Sequence, residues 1–139
     1  NLYGDLRWHI RNLIIGATRN WCKTIIEWNL ASDENQKPHT EGGCSSCLGA
    51  VTITGNSVQR NTAYYVIAHA SKFVPPGSVR LHSSSSSTLP NVSFLTPEEK
   101  IVTIVLNDSS NKINFNIILD GKDIHSSLNA GAIGTFVLN

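Results

Sequence analysis

A proline pair followed by a glycine, Pro75-Pro76-Gly77, divides this chain into two parts. Before it, Thr62–Lys72 contains neither glycine nor proline and follows Asn61, a residue type that favours the start of a helix. The prolines disfavour helical geometry at Val74 and oppose a restart of the helix. The glycine permits a turn into Ser78–Leu81, a short β-prone segment. The motif therefore predicts a helix that ends abruptly and a strand that begins beyond it.

The part before this motif has the pattern of an α/β unit. Asp5–Trp21 places apolar residues at three- and four-residue steps, which predicts an amphipathic helix. Thr24–Leu30 is β-branched and aromatic with apolar residues facing both ways, so we expect a strand that is buried on both faces. Ser32–Gly49 has no pattern of regular structure, and loops of this length are usually functional or disordered. A short strand, Ala50–Thr54, is predicted after it.

The part after the motif is predicted to be all β. Ser83–Ser87 is a serine tract that is typical of an exposed connection. Turn signals such as Asp120-Gly121 recur about every 8–12 residues, which indicates an antiparallel sandwich. The predicted strands are Asn91–Leu95, Ile101–Leu106, Ile113–Ile117, Asp123–Leu128 and Ala132–Leu138.

Charge and hydropathy exclude several classes of partner. The chain has 139 residues, a net charge of +1 and 15% charged residues. The sequence has no basic stripe, so neither nucleic acid nor an anionic membrane surface is an expected partner. No apolar run approaches the roughly 20 residues that span a bilayer. The first residues are neither basic nor followed by an apolar stretch, so no signal peptide is visible.

Three cysteines are too few for a disulfide framework. Cys44 and Cys47 form a C-x-x-C motif, and Cys22 stands apart from them. A redox site normally places the first cysteine of such a motif at a helix start, and a structural zinc site needs about four ligands; neither pattern surrounds this pair. The alternatives are a loop disulfide in an exported protein, two free thiols, or metal or redox chemistry.

Two longer motifs carry a family resemblance. They are Ile-Glu-Trp-Asn-Leu-Ala at Ile26–Ala31 and the sequence His69–Arg80. Both resemble the C-terminal part of glycoside hydrolase family 30, which contains glucosylceramidases and their bacterial relatives. The resemblance implies an α+β fragment. Residues 1–77 would supply the last strand and helices of a (β/α)8 barrel, with Thr24–Leu30 as strand eight. Residues 78–139 would form an antiparallel β-sandwich domain.

The resemblance also implies an activity. Family 30 enzymes cleave β-linked glycosides with retention, using two glutamates whose carboxyl groups lie about 5–5.5 Å apart. Both glutamates are expected upstream of Asn1, so the fragment alone is expected to be inactive. Gly43 falls near the position at which lysosomal glucosylceramidase has a substrate-contacting asparagine, so the resemblance implies that this contact is lost or replaced. A β-glucan or another β-glucoside is therefore at least as good a substrate candidate as a sphingolipid. The alternative is a non-catalytic β-sandwich module that binds carbohydrate or supports a barrel.

Five residues are expected to bind substrate on the basis of the resemblance. Trp28 matches the tryptophan of the glycone subsite, where an indole ring packs on the C–H face of a sugar. Asn29 is expected to support it. Glu27 aligns with an acidic residue that is not the nucleophile, and its expected role is a paired carboxylate that orients its neighbours. His39 and Glu41 are the candidates in the loop. No catalytic, metal-binding or cofactor-binding residue is expected in the chain.

The expected partners follow from the same assignment. They are a β-linked glycoside or glucan and the N-terminal barrel of a longer parent chain. A strand eight without its neighbours would have exposed edges, so self-association of the fragment is also expected. The resemblance implies an exported protein, extracellular or periplasmic, whose signal peptide is not in this sequence.

Overall fold

The computed structural model describes residues 2–139. A helix at the start has an α-helical part, α1 (Leu2–Trp8), that continues as a π-helical segment (His9–Ala17), and a second helix, α2 (Thr62–Ser71), lies mid-chain. Nine strands complete the described structure: β1 (Ala31–Asp33), β2 (Val51–Thr54), β3 (Ser57–Arg60), β4 (Val79–Leu81), β5 (Asn91–Leu95), β6 (Ile101–Leu106), β7 (Ile113–Leu119), β8 (Lys122–Leu128) and β9 (Ile133–Leu138).

The first helix confirms the amphipathic pattern but differs in its internal geometry. Its second half is a π-helix that ends at Ala17, and Thr18 and Arg19 add a short α-helical end, two residues before the predicted limit at Trp21. A π-helix brings residues five apart together, and a β-carbon on Gly16 would lie only 2.8 Å from the main-chain oxygen of Arg11. Glycine at this position therefore allows the close approach of the two turns.

The predicted strand Thr24–Leu30 is wrong as a hydrogen-bonded strand. Lys23 to Trp28 make no main-chain hydrogen bond to other main-chain groups among residues 2–139. The reason is that no other strand of the described chain runs beside them. Sheet pairing begins only at the end of the segment, where β1 runs parallel to β2 and β2 pairs antiparallel with β3.

Asn61 precedes α2, as predicted, but its side chain does not cap the helix. Its Nδ2 instead donates to the main-chain oxygen of Gly49 at 2.8 Å and to Oγ1 of Thr52 at 2.9 Å. The helix start is thereby tied to the end of the long loop and to β2. The helix ends at Ser71, shortly before the proline motif, and Gly77 adopts a left-handed φ of 90° before β4.

The second part is a β-sandwich-like domain, as predicted. One antiparallel sheet has the order β4-β5-β6-β9, and the hairpin β7-β8 forms the opposing sheet. Asp120 and Gly121 have φ angles of 49° and 76°, which is the geometry that two-residue hairpin turns require. Phe115 of the hairpin and Phe136 of β9 pack edge to face, with ring centroids 5.7 Å apart.

The main core lies between the helices and one face of the four-stranded sheet. The helices contribute buried branched side chains, and β5 and β6 contribute the facing residues. These buried residues are Ile10, Ile14, Ile15, Val66, Val92, Phe94, Ile104 and Leu106. Because the helices of the first part cover a sheet of the second part, the two parts share one core.

Polar contacts reinforce the same junction. Arg7 donates to Oδ1 and the main-chain oxygen of Asp108 at 2.6 and 2.7 Å, and Arg11 contacts the other carboxylate oxygen. His69 of α2 also joins the two parts, with Nδ1 2.8 Å from Oγ1 of Thr135 on β9. Within residues 2–139, no helix combines the length and apolarity needed to cross a membrane.

Candidate functional site

The segment that was expected to be strand eight is extended and presents one apolar side to solvent. Its side chains alternate between half-buried and exposed positions, as those of an extended chain do. Ile26, Trp28 and Leu30 form the outer side, with 90%, 71% and 76% of their surface exposed. Large apolar side chains in such a row are unusual on a free surface and mark a contact site.

The opposite side of the segment faces the first helix. Ile25 packs against the core, and Oε2 of Glu27 lies 2.8 Å from Nε2 of His9. The other carboxylate oxygen of Glu27 is buried and has no hydrogen-bond partner. Glu27 is therefore directed away from the side that carries Trp28.

Asn29 forms a sharp bend between this segment and β1. It adopts a left-handed φ of 65°, and its Oδ1 accepts a hydrogen bond from the main-chain nitrogen of Ala31 at 3.0 Å. Asparagine tolerates this conformation better than most residues because its short side chain can bond locally. The main-chain oxygen of Asn29 accepts from Ala50 at 3.1 Å, so the bend is joined to the far end of the loop.

The long loop is closed at its base and exposed at its tip. At the base, the main-chain nitrogen of Gly49 donates to Oγ of buried Ser32 at 3.1 Å. At the tip, Cys44 and Cys47 form a disulfide, which is one of the alternatives that the sequence left open. His39 and Glu41 are exposed on the loop.

The structure places the expected site residues on two sides of the segment and on the loop. The main chain of Asn29 is bonded to Ala50 at the base of the loop, Trp28 precedes it on the exposed side of the segment, and Glu27 faces the opposite side. His39 and Glu41 have no hydrogen bond to Trp28 or to each other within the described residues. No group of three metal-ligating side chains is found among residues 2–139. His9 was missed by the sequence reasoning, because nothing in the spacing of a helical histidine and a distant glutamate signals their pairing.

Comparison with known proteins finds the family that this chain resembles. Residues 77–136 match the glycosyl hydrolase family 30 beta sandwich domain. This match covers the sandwich part, and the chain as a whole is similar to the C-terminal part of family 30 enzymes. This confirms the resemblance carried by the two sequence motifs.

Relatives of this chain include fungal glucanases. It is 30% identical over 140 residues to endo-1,6-beta-D-glucanase neg1 of Aspergillus fumigatus, covering 94% of this chain and 29% of that protein. It is 29% identical over 132 residues to endo-1,6-beta-D-glucanase BGN16.3 of Trichoderma harzianum, covering 89% and 27%.

Solved structures show the same correspondence. The endo-beta1,6-glucanase BT3312 is 27% identical with a TM-score of 0.84, over 96% of this chain and 31% of that one. SrfJ from Salmonella typhimurium is 25% identical with a TM-score of 0.85, over the same shares. The chain therefore spans less than a third of the length of these relatives.

Proposed function

We propose that this chain is the C-terminal portion of a retaining β-glycosidase that hydrolyses β-1,6-glucan. The observation that carries the proposal is the match of nearly the whole chain to proteins named endo-1,6-beta-D-glucanases. Two glutamates of the parent chain, outside residues 1–139, would act as nucleophile and acid/base.

In this proposal residues 1–77 are the end of a (β/α)8 barrel and residues 78–139 are its supporting sandwich. The extended segment from Lys23 to Trp28 supports the barrel assignment, because its main-chain groups are unpaired and could bond to a neighbouring strand on each side. Its exposed apolar side would face the barrel interior. Active sites of such barrels lie at the C-terminal ends of the strands, and in this proposal Trp28 and Asn29 occupy that end of strand eight.

Trp28 is the proposed platform for the sugar ring. Its indole is largely exposed, and the apolar C–H face of a glucose unit can pack on such a ring while the N–H donates a hydrogen bond. Asn29 would hold the local bend, and His39 and Glu41 would approach the substrate from the loop. Glu27 belongs to the same predicted set, although it faces the helix.

The proposed cellular location follows from the proposed substrate. An enzyme that degrades a glucan outside the cell is exported, so an extracellular or periplasmic location is proposed. Glucosylceramide is the second substrate candidate, because the chain is 32% identical over 110 residues to the lysosomal acid glucosylceramidase of Mus musculus, over 20% of that protein.

The test compares two tryptophans in the full-length parent protein. Trp28→Ala should lower kcat/KM on β-1,6-glucan by roughly 10-fold or more, because it removes the stacking platform. Trp21→Ala is the matched control, since Trp21 is equally exposed but stacks with Arg80, whose guanidinium carbon lies 4.2 Å from the ring centroid. Equal effects of the two changes would contradict the role of Trp28. A parent protein without hydrolysis of β-1,6-glucan but with hydrolysis of glucosylceramide would replace the proposed substrate.

A further inference from the structure

We infer that His9 and Glu27 form a positioning pair that sets the orientation of Trp28. This inference rests on the proposed function of Trp28 as a sugar platform. It assigns Glu27 a role through its neighbour and not through contact with substrate.

The first observation is how few attachments the segment has. Between Lys23 and Trp28, no main-chain group bonds to another main-chain group of residues 2–139. Cys22, next to the segment, donates locally from its Sγ to the main-chain oxygen of Thr24 at 2.9 Å. Among the described residues, two side chains of the segment attach it to distant parts of the chain: Ile25 packs against the core, and Glu27 bonds to His9. Of these, only the contact between Glu27 and His9 is directional, because apolar packing does not fix a rotation and a hydrogen bond does.

The second observation is the alternation of the extended chain. Successive side chains point to opposite sides, so the direction of Glu27 determines that of Trp28. Glu27 points toward the helix and is 19% exposed, whereas Trp28 points outward and is 71% exposed. Rotation of the segment about its axis would break the bond to His9 and would turn the indole ring away from its present face.

The third observation is the rigidity of the anchor. His9 begins the π-helical segment, and the next residue, Ile10, is completely buried in the core. The imidazole is therefore attached to one of the most firmly packed points of the chain. A π-helical turn also shifts the side chains that follow it, and such turns are frequent at functional sites.

Electrostatics favour the arrangement in which Glu27 stays paired with His9. Both partners are mostly buried, with 26% of His9 and 19% of Glu27 exposed. One oxygen of Glu27 is already buried without a donor, so the loss of His9 would leave both oxygens of the carboxylate without one. Breaking such a pair from one side is costly, because an uncompensated charge remains in the interior.

The experiment uses the full-length parent protein labelled with 5-fluorotryptophan. Glu27→Gln and His9→Gln should each raise KM for β-1,6-glucan by about 3- to 10-fold with little change in kcat, and both should shift the fluorine resonance of Trp28. Glu98→Gln is the control, because Glu98 is an exposed carboxylate of the sandwich that pairs with Lys100. Glu98→Gln should change neither KM nor the fluorine resonance of Trp28.

A double-mutant cycle separates positioning from stability. Glu27→Gln should add little to the defect of Trp28→Ala, because both changes remove the same contact. A purely structural role of Glu27 would give additive effects and an unshifted resonance, and that result would overturn the inference. The reciprocal variant, His9→Glu with Glu27→His, restores the pair and should bring KM part of the way back to its original value. It keeps the inference testable if a single variant does not fold.

The two proposals fail in different ways. If the parent protein hydrolyses no β-glycoside, the proposed function is wrong, while the fluorine resonance of Trp28 still reports whether Glu27 orients the ring. If hydrolysis is present and Glu27→Gln moves neither KM nor the resonance, the proposed function stands and the positioning pair is rejected.

Discussion

His69 is a titratable residue whose state is linked to folding. Burial lowers the pKa of this imidazole below its ordinary value, and its Nδ1 lies 2.8 Å from Oγ1 of Thr135. The unfolded chain therefore binds a proton more readily than the folded chain. The stability contributed by neutral His69 is present above the unfolded pKa of about 6.5 and is lost as the pH falls through it toward the lower folded pKa.

The resulting prediction concerns the pH dependence of unfolding. The free energy of unfolding should decrease as the pH is lowered from about 7 to about 5, and His69→Gln should remove part of that decrease. Urea denaturation followed at several pH values measures it. His125→Gln serves as the control, since His125 is exposed on the hairpin. Identical pH profiles for the native chain and His69→Gln would contradict the linkage.

At the scale of elements, the loop base depends on a glycine. A β-carbon on Gly49 would lie 2.9 Å from the carbonyl carbon of Ala31 and 2.9 Å from the nitrogen of Ser32. Both are main-chain atoms at the start of β1, so they cannot move aside without separating β1 from β2. Gly49→Ala should therefore lower the free energy of unfolding by about 1–3 kcal/mol.

The same change should open the loop to proteolysis. Limited digestion of Gly49→Ala should cut between residues 34 and 48 faster than digestion of Ser45→Ala, an exposed change in the same loop. If both variants are cut at the rate of the unchanged chain, the close approach at Gly49 does not determine the closure of the loop.

Elements were predictable wherever their pairing is local. Ile113 and Phe115 alternate with asparagines, and the Asp120-Gly121 turn brings the partner strand back at once, so this hairpin follows from the sequence. The strand assigned to Thr24–Leu30 has the right composition, but residues 24–28 have no neighbouring strand among residues 2–139. The π-helical winding also has no signature, because Gly16 alone does not distinguish a close turn from an ordinary one.

Candidate site residues were predictable only in part. The resemblance singled out Trp28, and the structure shows its indole exposed at 71%, while its role at a sugar site stays a prediction. The partner of Glu27 could not be found in this way, since His9 belongs to another element and the contact depends on how the helix packs. Long-range packing, and not local pattern, decides which polar groups meet.

The whole molecule depends on a charged junction between its two parts. Asp108, only 11% exposed, accepts hydrogen bonds from Arg7 and Arg11 and so joins the first helix to the turn after β6. Asp108→Asn should lower the free energy of unfolding by about 1–2 kcal/mol, a value that allows for the partial exposure of both arginines. Urea denaturation measures the change.

The matched control for this junction is Asp123→Asn. Asp123 is an exposed carboxylate of the hairpin that contacts Asn116 at 3.2 Å and no arginine. It should alter the free energy of unfolding by no more than about 0.5 kcal/mol. Equal losses for the two variants would mean that the junction is held by the apolar core alone.

The placement of the disulfide has a practical consequence. Cys44 and Cys47 are three residues apart, and a ring this small removes little freedom from the unfolded chain. Residues 48–139 contain no cysteine, so neither the shared core nor either sheet of the sandwich depends on a sulfur bridge. We therefore expect reduction of the disulfide to leave the sandwich folded, and thiol reagents to act only at the loop tip and at the exposed Cys22.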